Sequence, residues 1–104
     1  MRLTIQYDHF YLYEEMKDFL LKAEQEHPDK LHVSGLTESP EGRDVYLATI
    51  TNFSAARESE QCSAYYVQAG VHAQEGAGTT AALHLIHTLL TDSKVSSLLD
   101  RVVF

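Results

Sequence analysis

The chain has 104 residues, with 8 Lys+Arg against 15 Asp+Glu, and a formal net charge of −7. Hydrophobic residues make up 44% and charged residues 22%, an ordinary soluble-domain composition whose length suits one domain at most and argues against a repeat array. The cations are scattered from Arg2 to Arg101 with no three together, which argues against a phosphate-neutralising nucleic-acid surface and a basic membrane-surface helix.

The first expected element is a helix. Leu12, Met16, Phe19, Leu20 and Ala23 recur at helical spacing and form one apolar stripe. Glu14 and Glu15 stand in its first turn, where the helix dipole favours carboxylates, and His27-Pro28 ends it. A strand over Leu31–Leu36, a turn at Glu38-Ser39-Pro40-Glu41-Gly42 and a second strand over Arg43–Thr51 predict an antiparallel hairpin. In the second strand Tyr46, Ala48 and Ile50 share one face, and Val45, Leu47 and Thr49 the other.

Residues 52–61 are polar and aperiodic, and read as a loop. Asn52-Phe53-Ser54 matches the N-glycosylation tripeptide, a match read as chance without a secretory signal. Ser63–Val71 carries no charge and is rich in β-formers, the pattern of a strand buried at the centre of a sheet. A second helix is expected over 75–91, with Ala82, Leu83, Ile86, Leu89 and Leu90 as its apolar stripe. After a break at Asp92-Ser93-Lys94, a short helical segment over 95–99 and a β-like run over 101–104 follow.

The order helix, strand, strand, strand, helix, strand is that of a layered α/β sheet. Because the run ends on Val-Val-Phe without a turn or polar tail, the chain is expected to be part of a larger domain. An incomplete sheet would leave unpaired backbone and apolar side chains exposed, so self-association is expected. Met1–Gln6 offers no apolar signal-peptide core, leaving a cytoplasmic location as the default, and no apolar stretch is long enough to span a bilayer. The lone Cys62 excludes an intramolecular disulfide and a zinc site of several cysteines, and reads as a small hydrophobe.

Candidate chemistry sits where the uncharged strand ends. His72 and Glu75 are three residues apart at a strand-to-helix junction, where an imidazole nitrogen and a carboxylate can converge on one point. Both groups are good zinc donors, and a catalytic zinc takes three protein ligands with one position open to water. Spacing alone is weak: six His and nine Glu in 104 residues give about half a His-x-x-Glu match by chance. The context adds to it, because Gly70, Gly76 and Gly78 allow close backbone approach around the pair.

His84 and His87 share a helix face, but His84 stands nine residues beyond Glu75, roughly 13 Å along a helix, too far for the same ion. His87 reads as bordering the apolar stripe and His84 as lying farther round the helix, with His9, His27 and His32 structural or surface. Tyr7, Phe10, Tyr11 and Tyr13 read as an aromatic cluster packed beneath the first helix, and Thr79 and Thr80 as ordinary first-turn residues. There is no Gly-x-Ser-x-Gly nucleophile elbow, and Gly76-Ala77-Gly78 lacks the Lys-Ser/Thr of a phosphate loop.

These features recur in order. Tyr13-Glu14-Glu15-Met16 opens a helix, His27-Pro28 closes it, Glu41-Gly42-Arg43-Asp44-Val45-Tyr46 starts the second strand, and Gly70-Val71-His72-Ala73-Gln74-Glu75 follows the third. From about Tyr7 onward the chain resembles the amino-terminal third of a zinc metallocarboxypeptidase catalytic domain. The resemblance implies a three-layer α/β/α mixed sheet of the zinc-exopeptidase type, present here as its amino-terminal portion, with residues 1–104 a partial catalytic domain. It implies Zn²⁺ as cofactor, His72 and Glu75 as two of three ligands, and a peptide or peptide-like substrate. The third ligand, a general-base glutamate and the residues gripping the substrate's terminal carboxylate lie further downstream in that family, so no catalytic residue falls within the chain and the isolated 104 residues are expected to be inactive. One departure is Gln74, where digestive members carry arginine; their substrate preference therefore does not transfer. An N-acyl or amide hydrolase of the same fold, or a non-catalytic α/β module with a vestigial motif, are the alternative readings.

Overall fold

The computed structural model of the chain describes residues 3–6, 9–55, 62–70 and 76–104. Its elements are helix α1 (Tyr13–Glu26), strands β1 (Leu31–Glu38), β2 (Asp44–Ile50) and β3 (Ser63–Ala64), helix α2 (Gly76–Thr91), helix α3 (Ser93–Ser96), a 3-10 turn at Ser97–Asp100 and strand β4 (Val102–Val103).

α1 forms where its apolar stripe and end signals agree. The Glu15 Oε1 accepts a hydrogen bond from the Leu12 N–H at 3.1 Å, supplying a partner at the open amino-terminal end of the helix. At the other end the His27 N–H donates to the Ala23 carbonyl at 2.8 Å, and Pro28 cannot continue the ladder. Phe19, Leu20 and Ala23 are buried and Met16 packs against them. Leu12, expected on that stripe, is 71% exposed, because it is the extended N-cap residue just ahead of the helix.

β1 and β2 form the expected antiparallel hairpin, in register from Leu31↔Ile50 to Glu38↔Asp44. Between Gly35 and Thr37 the register shifts, leaving Leu36 as the extra residue of a bulge with its side chain exposed. Gly42, at φ +80°, supplies the left-handed position of the connecting turn. Ile50 is buried and Tyr46 and Ala48 pack against the core, while Val45 and Leu47 stay exposed, as the alternation requires. The Glu24 carboxylate accepts the Val33 N–H at 2.6 Å and so ties α1 to β1.

The end of β2 joins the hairpin to the rest of the chain. Ile50 and Phe104 exchange both backbone hydrogen bonds at 2.9 Å, the signature of an antiparallel pair. β4 in turn pairs in parallel with β3, Ser63↔Val102 and Ala64↔Val103. The two ladders thereby form a partial mixed sheet in the spatial order β1-β2-β4-β3. Thr51, 4% exposed, donates its hydroxyl toward the carbonyls of Leu99 and Val102 at 3.0 Å each, and its N–H bonds the Lys30 carbonyl. Asn52 follows with its N–H on the Leu99 carbonyl and its amide on the Asp100 carboxylate.

After Asp92, whose side chain caps the Lys94 N–H at 2.9 Å, α3 and the 3-10 turn carry Leu99 into the core, where it is fully buried with Leu31. Leu83, Leu89 and Leu90 of α2 join the same cluster, with Ile86 packed beside them. No helix among the described residues is long and apolar enough to cross a membrane.

The stretch after β3 departs from expectation. Pairing is regular only over Ser63–Ala64, and Tyr65, Tyr66 and Val67 are 61%, 80% and 55% exposed. The reason is the length of its neighbour: two residues of β4 can order only two residues of β3, with the Tyr65 N–H adding one bond to Val103. Among the described strands β3 is therefore an edge, not a centre.

Replacing Thr51 by Val keeps the shape and removes the hydroxyl from a buried junction of carbonyls. It is expected to lower unfolding stability by about 1–3 kcal/mol, read as a lower urea midpoint at unchanged slope.

Candidate metal centre

His72 and Glu75 fall within residues 71–75, outside the described residues, so the structure describes the frame around them. On one side is Gly70, at φ +76°, a conformation that an L side chain adopts only with strain. A Cβ there would stand 2.8 Å from the Thr79 Oγ1, so the strand exit lies directly on the first turn of α2. On the other side is Gly76, which opens α2 beneath Phe10; a Cβ on Gly76 would lie 3.7 Å from that ring. A Cβ on Gly78 would lie 3.8 Å from the Gly70 backbone nitrogen, so the two glycines bring the strand exit and the helix start together.

The segment before α1 packs against the first turn of α2. The Tyr11 N–H donates to the Thr80 Oγ1 at 3.1 Å, joining residues 69 positions apart, and Thr80 is 7% exposed. The Tyr11 ring meets Phe19 and His9 edge-on, and its hydroxyl accepts the Gln6 N–H at 3.0 Å. The expected aromatic cluster is thus divided. Tyr11 packs on α1, Phe10 is 67% exposed, and Tyr13 turns to the hairpin, stacking on Tyr46 and donating to the Asp44 carbonyl at 3.0 Å. The Arg43 guanidinium lies 5.9 Å above the Tyr13 ring and also pairs with Glu41. Tyr7 lies outside the described residues.

The other histidines have structural partners. His9 pairs with the Glu15 carboxylate, a contact across six positions that no short-range spacing rule reaches. The His27 backbone caps α1, and the His32 ring stacks on Phe53 with centroids 3.9 Å apart. The His87 Nε2 lies 3.4 Å from the Leu3 carbonyl, linking α2 to the start of the chain. Cys62 is a free thiol, partly buried, with its Sγ 3.3 Å from the Arg101 carbonyl. Among the described residues no group of three or more His, Cys, Asp or Glu could hold a metal ion. By donor type alone, the imidazole of His72 and the carboxylate of Glu75 suit zinc.

Comparison with known proteins shows the family and the fold. The family model for zinc carboxypeptidase matches residues 16–104, and the chain belongs to that family. Among solved structures, carboxypeptidase A from Helicoverpa armigera is similar with a TM-score of 0.83 and 26% identity over 95% of this chain. The mixed α/β arrangement with its partial sheet is thus that of the carboxypeptidase fold. The chain spans 24% of the length of that insect enzyme. A search of curated protein sequences returns no significant match.

Two outcomes are expected from this geometry. Gly70→Ala should cost about 1–3 kcal/mol through its backbone conformation, and adding Thr79→Ala should recover only the steric part, as read from denaturation midpoints. The second concerns acid. The Leu12 N–H, and then His9, hold the Glu15 carboxyl below its ordinary value of 4.5. A carboxyl depressed in the folded state contributes stability above that ordinary value and loses it as pH falls through the folded value. The stability advantage of the unsubstituted chain over Glu15→Gln at neutral pH should therefore shrink below pH 4.5.

Proposed function

We propose that the chain forms part of the catalytic domain of a zinc-dependent metallocarboxypeptidase-like hydrolase, with His72 and Glu75 as two of its three zinc ligands. One observation carries this reading: the zinc carboxypeptidase match spans residues 16–104 and so includes the junction between Gly70 and Gly76 where both donors lie. The donor chemistry agrees, since one neutral imidazole and one carboxylate are two-thirds of the His₂Glu set of zinc carboxypeptidases. When bound, zinc would polarise a carbonyl and acidify water at neutral pH.

On this reading His72 and Glu75, which lie in sequence between Gly70 and the start of α2, would share one ion. Gln74, between the ligands and next to Glu75, presents a neutral amide that can hydrogen-bond a peptide main chain without contributing charge. The third ligand and the general base would come from residues outside these 104. The substrate class is a peptide or peptide-like chain, acted on by the intact domain. The exposed Tyr65, Tyr66 and Val67 are the surface through which the isolated segment would self-associate.

Zinc titration of the purified chain, followed by calorimetry, tests the reading. One zinc per chain is expected, with binding lost in His72→Ala and in Glu75→Ala. Equal uptake by all three proteins, or none by any, would sink it. The isolated chain should release no carboxy-terminal amino acid from a peptide, because two ligands without a base do not complete the centre.

A further inference from the structure

The described strands lie in the order β1-β2-β4-β3, so β1 and β3 are the two outer edges of the partial sheet. In an antiparallel ladder, opposed residues alternate between pairs that bond each other and pairs whose N–H and C=O groups point apart. Ile50 bonds Phe104 on the β4 side, so Leu31↔Ile50 and Val33↔Ala48 are pairs of the second kind. The N–H groups of Leu31 and Val33 therefore point out along the outer edge of β1. Both are taken within the chain. The His27 carbonyl accepts the first at 3.0 Å, and the Glu24 carboxylate accepts the second at 2.6 Å. Gly35 is next on that edge by the same alternation, and the Leu36 bulge follows it. At the opposite edge the β3 run is uncharged and exposed from Ser63 to Gly70.

We infer that Glu24 guards the outer edge of β1, closing it to pairing with a second copy of the chain and confining such pairing to the β3 edge. The inference rests on the self-association proposed above. An edge strand with open N–H and C=O groups is a template for another strand, and a charged side chain placed on it is one way to close it. A strand approaching β1 would have to put its own carbonyl where the Glu24 carboxylate accepts the Val33 N–H, and would meet a negative charge there. Glu24 belongs to the last turn of α1, and the same helix end supplies the His27 carbonyl at Leu31, so one element closes both positions. The consequence is the size of the assembly. Two copies that meet through the same β3 edge pair isologously and stop at a dimer. With both edges open, β1 of one copy could receive β3 of the next, a head-to-tail contact that continues.

Sedimentation velocity of the full 104-residue chain over a concentration series is the test. The unsubstituted chain is expected to grow no further than a dimer, and Glu24→Ala to shift past the dimer as concentration rises. Glu24→Gln, whose amide oxygen still accepts the Val33 N–H, should behave as the unsubstituted chain. Gly35→Pro added to Glu24→Ala removes a donor from the same edge and should return the species to the dimer. Lys22→Gly weakens α1 from an exposed position, controls for lost stability, and should not enlarge the species. If Glu24→Ala proves unfolded by circular dichroism, Glu24→Asp, one methylene short of the Val33 N–H, carries the same expectation. Growth past the dimer by the unsubstituted chain or equally by Lys22→Gly would overturn the guard. So would a folded Glu24→Ala or Glu24→Asp that does not enlarge, or enlargement that persists with Gly35→Pro. An unsubstituted chain that stays monomeric while Glu24→Ala associates would instead overturn self-association through β3 and leave the guard in place.

Discussion

The meeting of β2 with the last residues of the chain is the constraint on which the rest depends. Ile50 and Phe104 pair reciprocally, Thr51 sends its hydroxyl to the carbonyls of Leu99 and Val102, and Asn52 holds Leu99 and Asp100. A hairpin of two strands is marginal by itself, and here it gains a third and fourth strand only through this junction. β4 receives its place from Ile50 and passes it to β3, whose continuation leads to Gly70. The burial of Leu31, Ile50 and Leu99 around the same point explains why polar groups there are so fully engaged: a carbonyl removed from water needs a donor.

Beyond that junction, the exit from β3 and the start of α2 meet by close approach more than by side-chain bulk. Gly70 lets the chain turn through a left-handed conformation directly on Thr79, and Thr80 fastens the opposite side to Tyr11. The N-terminal segment is in turn held by several weak links, among them Tyr11 on Phe19, His9 on Glu15 and Leu3 on His87. The segment before α1, the exit from β3 and the first turn of α2 are thus brought together, with Phe10 beside Gly76, Gly70 beside Thr79 and Tyr11 on Thr80.

The family membership gives these parts a common purpose. The chain matches carboxypeptidase A in fold at a TM-score of 0.83 while spanning 24% of that enzyme's length. On the proposed reading the chemistry is divided along the polypeptide: this segment contributes two donors and their support, and other residues contribute the remaining ligand, the base and the grip on substrate. Such a division accounts for the uncharged β3 run, whose exposed tyrosines and valine have the composition of an interior strand.

Much of this was legible in the residues themselves. The 3.6-residue stripe of α1, its stop at His27-Pro28, the alternation of β2 and the turn at Gly42 are local signals, and local backbone physics decides them. His72 and Glu75 stand out as a candidate pair by donor type and by the ordered motifs around them, since metal chemistry restricts which residues can serve. Other features were beyond local reading. The partnership of Tyr11 with Thr80 spans 69 positions, that of Thr51 with Leu99 spans 48, and neither residue type announces a partner so distant. The edge position of β3, the exposure of Leu12 and the separation of Tyr13 from Tyr11 were likewise settled by packing. Sequence determined the local elements and which residues are candidate donors, because those follow from propensity and coordination chemistry; the tertiary structure alone decided which elements touch, because contacts between distant segments depend on how whole surfaces fit together.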